Sequence, residues 1–341
     1  IITWLFEVTF SCRSLYRAQP SQLFSPRTAR NVLNDGRINW QKLICLVAVK
    51  IISLLRPLID RRRRLAFIVD DTLISRPYST KTELLAKVYD HNQDKYITGY
   101  RNLTIGWSDG NTFLPVNFAL MSTKNRANLV GTKACVTDQR TIAGQRRNQA
   151  QRKMNDVVIE LIHQALKFGI SAKYVLFDSW YSSPRMFWRL KELGLDSVAM
   201  LKRSSKVYYR YRGRAYSIKA LYLRLLHSKR HQAENYLYSS NVEANFQGYS
   251  FPLKVVFVAK KGTKNQYLVL ASTNTKLTPQ KIIQLYNRRW SIETYFKTAK
   301  QYLRLNKSQI QSYDGQVAQI TITALTFILL AWQERQSKDD R

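Results

Sequence analysis

Residues 65–72 read Leu-Ala-Phe-Ile-Val-Asp-Asp-Thr, an apolar run that stops abruptly at two acids. A short continuous apolar run of this kind is typical of a central strand that is covered on both faces of its sheet. Residues 174–177, Tyr-Val-Leu-Phe, form a second run of the same type, which stops at Asp178. The chain is therefore predicted to contain two buried strands that each end at an acid.

The rest of the chain alternates between helical and strand patterns. Helices are predicted near residues 25–33, 40–55, 155–168, 184–193 and 316–334, and a long helix is predicted to begin at Thr278-Pro279, a favoured cap and first residue. Two strands, 103–107 and 113–120, flank the turn-forming residues 108–111, and another strand is predicted near 197–201. Residues 122–153 are polar and basic and are expected to be mostly exposed.

The chain carries a large positive charge. Its 341 residues include 55 Lys+Arg and 22 Asp+Glu, a formal net charge of +33, and 45% of them are hydrophobic. That apolar content excludes a disordered basic tail, and the charge favours a polyanionic partner, usually nucleic acid. A ribosomal or generally adhesive basic protein is the alternative.

Cysteine usage and hydropathy bear on location. Three widely spaced cysteines form no CxxC motif, which fits a reducing cytoplasm better than a disulfide scaffold. The apolar runs 43–55 and 317–332 are both shorter than the roughly 20 residues that cross a bilayer, so no membrane association is expected. We therefore predict a cytoplasmic protein.

Within the long helix, residues 286–300 read Tyr-Asn-Arg-Arg-Trp-Ser-Ile-Glu-Thr-Tyr-Phe-Lys-Thr-Ala-Lys. Tyr286, Arg289, Glu293 and Lys300 follow one another at steps of three, four and seven. In an uninterrupted helix these side chains fall within an arc of about 60° on one face. One carboxylate beside two cations and a phenol suits a site that holds a metal ion and anionic phosphates.

The candidate metal ligands are one aspartate of the Asp70-Asp71 pair, Asp178 and Glu293. Cleavage of a phosphodiester needs a nucleophilic oxygen at neutral pH and a stabilised leaving oxygen, and two divalent cations can supply both. Mg²⁺ prefers a few carboxylates and keeps water and substrate phosphates as its other ligands. Taken singly, each aspartate could be a turn or helix cap, and Glu293 could pair with Arg289 or Lys297. The coincidence of all three favours the metal site.

The order of elements predicts an α/β fold with a ribonuclease-H-like mixed sheet flanked by helices. Residues 204–276 form a β-rich insertion before the last catalytic helix, with Tyr-rich and basic strands at 207–211, 255–259 and 267–271 around a helical piece near 218–226. We divide the chain into a helical N-terminal region (1–60), the first part of the catalytic core (61–203), the insertion (204–276), and the last part of the core with the C-terminal helix (277–341). The N-terminal region begins with Ile and is interpreted as a truncated DNA-binding part.

The spacing Tyr286-x2-Arg289-x3-Glu293-x6-Lys300 resembles the YREK motif of DDE transposases in the insertion-sequence-four group. The strands ending in Asp-Thr and in Asp178-Ser-Trp-Tyr support this resemblance, which covers about residues 25–335. It implies that Asp71, Asp178 and Glu293 are the catalytic acids and bind two Mg²⁺ ions, with Mn²⁺ possible. Asp71 is preferred to Asp70 because the family's acid directly precedes Thr, Ser or Gly.

The resemblance also implies partners and a reaction. Tyr286, Arg289 and Lys300 would hold DNA phosphates at the transposon end, through a hydroxyl, a planar fork and a point charge. The expected function is a DNA transposase that cleaves insertion-sequence ends and transfers the strand into target DNA by cut-and-paste, through a hairpin intermediate. Its partners would be double-stranded DNA, at transposon ends and target, and a second copy of the chain in an active homodimer. Its location would be the nucleoid of a bacterium or archaeon.

The chain departs from the family pattern in one respect. Relatives are expected to stack a flipped base on a Trp of the insertion, but residues 204–276 contain no Trp. Tyr208, Tyr209, Tyr211 or Phe246 could substitute, because any aromatic face can stack a base, and none is assigned. Two other functions remain open: a DNA-binding remnant of a transposase that has lost catalysis, and a structure-selective nuclease on the same core.

Overall fold

The computed structural model describes residues 25–90, 93–227, 232–234, 237–259, 266–307 and 310–339. The chain divides into two compact units. The first unit holds residues 1–63, 70–170 and 291–341, and the second holds residues 64–69 and 171–290.

The helices in chain order are α1 (Pro26–Leu33), α2 (Trp40–Leu55), α3 (Ile142–Ala150), α4 (Met154–Lys167), α5 (Pro184–Glu192), α6 (Ile218–Leu226), α7 (Pro279–Asn287), α8 (Trp290–Gln301) and α9 (Tyr313–Asp339). The strands are β1 (Ala66–Ser75), β2 (Ala86–Asp90), β3 (Lys95–Ser108), β4 (Phe113–Met121), β5 (Tyr174–Phe177), β6 (Asp196–Met200), β7 (Tyr208–Tyr211), β8 (Arg214–Ser217), β9 (Gln232–Glu234), β10 (Leu237–Phe246), β11 (Tyr249–Ala259) and β12 (Tyr267–Ser272). Short 3₁₀ turns follow α2 and β4, at Arg56–Leu58 and Arg126–Asn128.

The two N-terminal helices of the first unit lie where the sequence predicts them. The Ser25 hydroxyl accepts a hydrogen bond from the backbone N–H of Thr28 at 3.3 Å, and the Asn39 side chain accepts one from Lys42 at 2.9 Å. Such caps satisfy N–H groups that have no partner inside the helix. Residues 1–24 of the predicted N-terminal region lie outside the described residues.

The first unit has a largely antiparallel set of strands in which β3 pairs with β2 and β4 and also neighbours β1. The turn between β3 and β4 forms because the Asp109 carboxylate accepts hydrogen bonds from the backbone N–H groups of Asn111 (2.8 Å) and Thr112 (2.7 Å). Gly110, between Asp109 and Asn111, has a φ of 97°, which glycine adopts without strain. The predicted hairpin is therefore confirmed, although β2 and the first half of β3 were not predicted.

Helix α9 forms part of the core of the first unit and packs against α2 and β4. Residues Tyr313–Ser337 are long and apolar enough to cross a membrane by length and composition, and 72% of their most apolar window is buried inside the protein. A core helix passes the same test of length and composition. Burial, which removes apolar surface from water, accounts for its apolar sequence.

A buried ionic cluster, made of Glu83, Arg146, Arg147 and Asp314, joins α3 to the start of α9 and to the segment before β2. Arg147 donates to Glu83 through Nε (2.6 Å) and Nη2 (2.8 Å), and through Nη2 to Asp314 (2.7 Å). Arg146 pairs with the second oxygen of Asp314. The expectation that residues 122–153 are mostly exposed is thus wrong for α3, since ion pairing lets its arginines be buried.

The second unit contains the first residues of β1 and the strands β5 to β12. Its strand order is β1-β5-β6-β12-β11-β10-β7-β8, with β9 on β10. Strands β1, β5 and β6 run parallel, and β12, β11 and β10 continue antiparallel. The β-rich character and the helix predicted for residues 204–276 are confirmed by β7 to β12 and α6.

Helices cover the strands of the second unit. Helix α7 packs against β5, β6 and β12, α5 against β6 and β10, and α6 against β7, β8 and β10. Strand β1 continues from this unit into the other, since its residues up to Val69 belong to the second unit and those from Asp70 belong to the first. The predicted α/β fold class, a mixed sheet with flanking helices, is confirmed and agrees with the ribonuclease-H-like arrangement.

Candidate active site

The two neighbouring acids of β1 follow its buried apolar residues directly. The side chain of Asp71 is only 9% exposed, and its carboxylate accepts a charged hydrogen bond of 2.8 Å from Nη1 of Arg101 on β3. Arg101 also donates through Nη2 to the carbonyl oxygen of Tyr89. The Asp70 carboxylate accepts the backbone N–H of Asp71 at 2.8 Å. Since side chains alternate along a strand, Asp70 and Asp71 point to opposite faces of β1.

Helix α8 carries the other predicted groups of the first unit. Glu293 lies in its first turn, where the helix dipole favours an acid, and Lys300 lies in its last turn, where it favours a cation. Seven residues make almost two full turns, so the two side chains share a face. Both are half-buried.

Lys300 lies within electrostatic reach of β1 and its neighbours. Burial lowers the pKa of its ammonium group, and Arg101 lowers that pKa as well, whereas Asp90 and Asp71 raise it. In the first unit, Asp71 therefore pairs with Arg101 and acts electrostatically on Lys300, which shares a face of α8 with Glu293.

In the second unit, Asp178 follows β5 and closes a tight turn. Its Oδ1 accepts the backbone N–H of Trp180 at 2.9 Å. Trp180 is 55% exposed, and the ammonium group of Lys202 lies 5.6 Å from the centre of its ring. The β1–β5 register within this unit pairs Val69 with Phe177, the residues that directly precede Asp70 and Asp178.

Tyr286 and Arg289, the other two predicted residues, also belong to the second unit. Tyr286 is 8% exposed. The guanidinium carbon of Arg289 lies 5.7 Å from the ring centre of Tyr286 and 5.8 Å from that of Trp290. These distances are within the range of a cation–π contact, so two aromatic rings help to orient the guanidinium group.

The single long helix predicted through residues 286–300 is wrong. Helix α7 ends at Asn287 and α8 begins at Trp290. Between them, the N–H groups of Arg288 and Arg289 bond to the carbonyls three residues back, which tightens the turn. The guanidinium of Arg288 also donates to the Arg64 carbonyl at 2.7 Å.

Consequently the four side chains do not share one face of a single helix. Only Glu293 and Lys300, both on α8, keep the common face that the 60° arc describes. No Gly or Pro marks the break in the sequence. The break accompanies a contact with Arg64, 224 residues away, that no local pattern reveals.

The donors fit a hard divalent cation in chemistry, because Asp71, Asp178 and Glu293 all offer carboxylate oxygens. Within the part of the chain that the structure describes, no three His, Cys, Asp or Glu side chains form a group that could hold a metal ion. The Arg101 pair on Asp71 is a feature that sequence reasoning missed. Arg101 lies inside β3, 30 residues from its partner, and carries no distinguishing motif.

Comparisons with known families agree with this chemistry. Residues 16–220 match the model of the DDE superfamily endonuclease, and residues 123–336 match that of the archaeal putative transposase ISC1217. Each match covers more than half of the 341 residues. No curated protein matches the chain. Together, the two family matches show that the chain belongs to the DDE endonucleases and transposases, a family of transposase-type nucleases that act on DNA.

Proposed function

We propose that this chain is a DNA transposase of the insertion-sequence-four group that binds two Mg²⁺ ions through Asp71, Asp178 and Glu293. The observation that carries the proposal is the shared α8 face of Glu293 and Lys300, together with the electrostatic reach of Lys300 to Asp71. An acid and a cation on one helix face, with a strand acid that acts electrostatically on that cation, suit a site that cuts a phosphodiester. Mn²⁺ could replace Mg²⁺, because both accept carboxylate ligands.

Bound divalent ions would generate the attacking oxygen and stabilise the leaving oxygen. The protein's other residues hold the DNA. Arg289, oriented by the rings of Tyr286 and Trp290, can grip a phosphate with its planar fork. Lys300 offers a point charge and Tyr286 a hydroxyl. Arg101 holds the buried Asp71 carboxylate in place through a hydrogen bond of 2.8 Å.

One observation bears on the choice between Asp71 and Asp70. The influence of Asp71 on Lys300 supports Asp71, because Lys300 shares its helix with Glu293. We retain Asp71 in the proposal and treat Asp70 as its competitor.

The proposed reaction is cut-and-paste transposition. One strand is first cleaved at the element's end, releasing a 3′-OH. This 3′-OH attacks the opposite strand to form a hairpin, the hairpin is reopened, and the freed ends attack target DNA. The net charge of +33 supports association with both DNA partners. The active complex is proposed to be a homodimer at the nucleoid, and the division into 1–60, 61–203, 204–276 and 277–341 is part of the same proposal.

The test compares Glu293→Gln with Glu334→Gln, which changes an exposed carboxylate on α9. The substrate is a duplex that carries the element's own ends, read from the DNA flanking the gene. Each protein is assayed for DNA binding, end cleavage and strand transfer with Mg²⁺ or with EDTA. We expect Glu293→Gln to bind the duplex without cleaving it and Glu334→Gln to cleave normally.

Retained cleavage by Glu293→Gln would refute the assignment of Glu293. Binding without cleavage by the unaltered protein, at every metal concentration, would indicate a non-catalytic remnant. Cleavage of branched DNA without inverted repeats or strand transfer would instead indicate a structure-selective nuclease.

A further inference from the structure

The hairpin of β7 and β8 belongs to a stretch with an extreme charge. Residues 197–233 contain ten Lys and Arg residues and no Asp or Glu. Within the hairpin itself, the side chains of Arg210, Arg212 and Arg214 are all exposed. Glu243 of β10 lies opposite Arg210 in the ladder, so the basic surface that attracts an anion centres on Arg212 and Arg214.

The turn of this hairpin has a defined geometry. Tyr211 pairs with Arg214 across it, which leaves Arg212 and Gly213 as the two turn residues. Their φ angles are 49° and 78°. Positive φ at both positions is the two-residue type I′ turn, whose twist matches that of the flanking strands. Arg212 is therefore held at the tip by the backbone.

The hairpin is anchored on one face and open on the other. Tyr209 and Tyr211 are 3% and 7% exposed, and α6 packs against both strands. The intervening Tyr208 is 56% exposed and shares its face with Arg210. In the strand order of the second unit, β8 is the last strand. The hairpin thus presents Tyr208 and Arg210 on its open face and Arg212 at its tip, with the exposed Arg214 opposite Tyr211, at a sheet edge.

We infer that the β7–β8 hairpin is a DNA-binding arm that lies in the major groove of a duplex, with Arg212 and Arg214 against its phosphates. This inference rests on the proposed function, which supplies DNA as the partner. The major groove of B-DNA, about 12 Å wide, admits a two-stranded ribbon. Arginine forks match phosphate geometry, and phosphate contacts fix a protein's position on the duplex.

A second hairpin in the same unit provides a matched reference. The turn between β10 and β11 consists of Gln247 and Gly248, with φ angles of 50° and 85°, and Phe246 pairs with Tyr249 across it. The backbone conformation is the same as at the β7–β8 tip, but the tip is uncharged. Glutamine is thus already accommodated at the position that corresponds to Arg212, so Arg212→Gln removes the charge and keeps the turn.

The test measures affinity for a duplex of about three turns, roughly 30 base pairs, by fluorescence anisotropy across KCl concentrations without divalent metal. The variant Arg212→Gln/Arg214→Gln is compared with Arg61→Gln/Arg62→Gln, which removes two exposed arginines from the first unit and gives the same net charge. Each lost phosphate contact lowers the slope of log K against log[KCl] by about 0.9. We expect the hairpin variant to lose about 2 in slope and the control less than about half of that.

If the two double variants had equal slopes of log K against log[KCl], the assignment of the hairpin as a DNA-binding arm would be wrong, although the protein would still bind DNA. An equal loss on a single strand of the same length would overturn the groove assignment, since a single strand has no major groove. Failure of the unaltered protein to bind duplex DNA would count against the proposed function itself. Circular dichroism of both variants verifies that they are folded.

Discussion

Of the arginines that form ion pairs in or near α3 of the first unit, Arg147 is expected to lower the stability of the fold most when it is replaced. Its side chain is 2% exposed, and it makes three charged hydrogen bonds of 2.6–2.8 Å to Glu83 and Asp314. In Arg147→Met, Asp314 keeps Arg146, but Glu83 retains only the N–H groups of Cys135 (2.8 Å) and Tyr313 (3.3 Å). An uncompensated buried charge costs about 3–5 kcal/mol.

The control is Arg140→Met, seven residues earlier in the chain. Arg140 forms a similar pair with Asp138 at 2.9 Å, but their side chains are 91% and 43% exposed. Exposed pairs contribute little to stability because water screens them. The two substitutions remove the same charge, so a difference between them measures the effect of burial.

The assay is native-state amide hydrogen exchange, which reports the opening free energy of each segment and so suits a chain with two units. We expect Arg147→Met to lower the opening free energy of α3 and the start of α9 by about 3–5 kcal/mol, and Arg140→Met to have a much smaller effect. Equal effects would refute the reasoning. The double variant Glu83→Gln/Arg147→Met no longer has the buried Glu83 carboxylate. It should therefore recover part of the opening free energy that Arg147→Met loses.

Three further predictions address the acids and the β1–β3 contact. End cleavage should be abolished by Asp71→Asn and largely retained by Asp70→Asn; the reverse result in the same cleavage assay would assign the metal to Asp70. Burial raises the pKa of Glu83, but hydrogen bonds from Arg147 and Cys135 lower it by a larger amount. The pKa of Glu83 in the folded protein is therefore below its ordinary value of 4.5. The stability that it contributes is therefore present above about pH 4.5 and lost as pH falls through the lower folded value, and acid titration of Glu83→Gln should lack this loss. Gly99→Ala would drive a Cβ into the Ile74 carbonyl and should cost about 1–3 kcal/mol in urea unfolding.

Elements whose signals are local were predictable from the sequence. Helix starts at Ser25, Ser183 and Thr278 each combine a capping side chain with a following Pro, and the structure has all three. The apolar runs before Asp70 and Asp178 became the parallel strands β1 and β5. Capping and burial depend on neighbouring residues, so a short window of sequence contains the relevant information.

Elements that depend on distant partners were not predictable. Helix α3 has a polar sequence, and its Arg147 is buried because it pairs with Glu83 and Asp314. These partners lie 64 and 167 residues away in the sequence. The interruption between α7 and α8 has no Gly or Pro. In both cases, the structure shows a contact between residues far apart in the chain, and a propensity scale contains no such information.

For the candidate site, residue chemistry and spacing were enough to indicate a polyanionic partner, a carboxylate set suited to a divalent metal, and a family of DNA-cutting enzymes. The charge of +33 and the acids after apolar runs do not depend on how the chain folds. Folding added the ion pair of Arg101 with Asp71, the pairing of Val69 with Phe177, and the separation of Tyr286 and Arg289 from α8. The physical reason is that side-chain direction, register and burial follow from pairing between distant segments, which come together only in the folded chain.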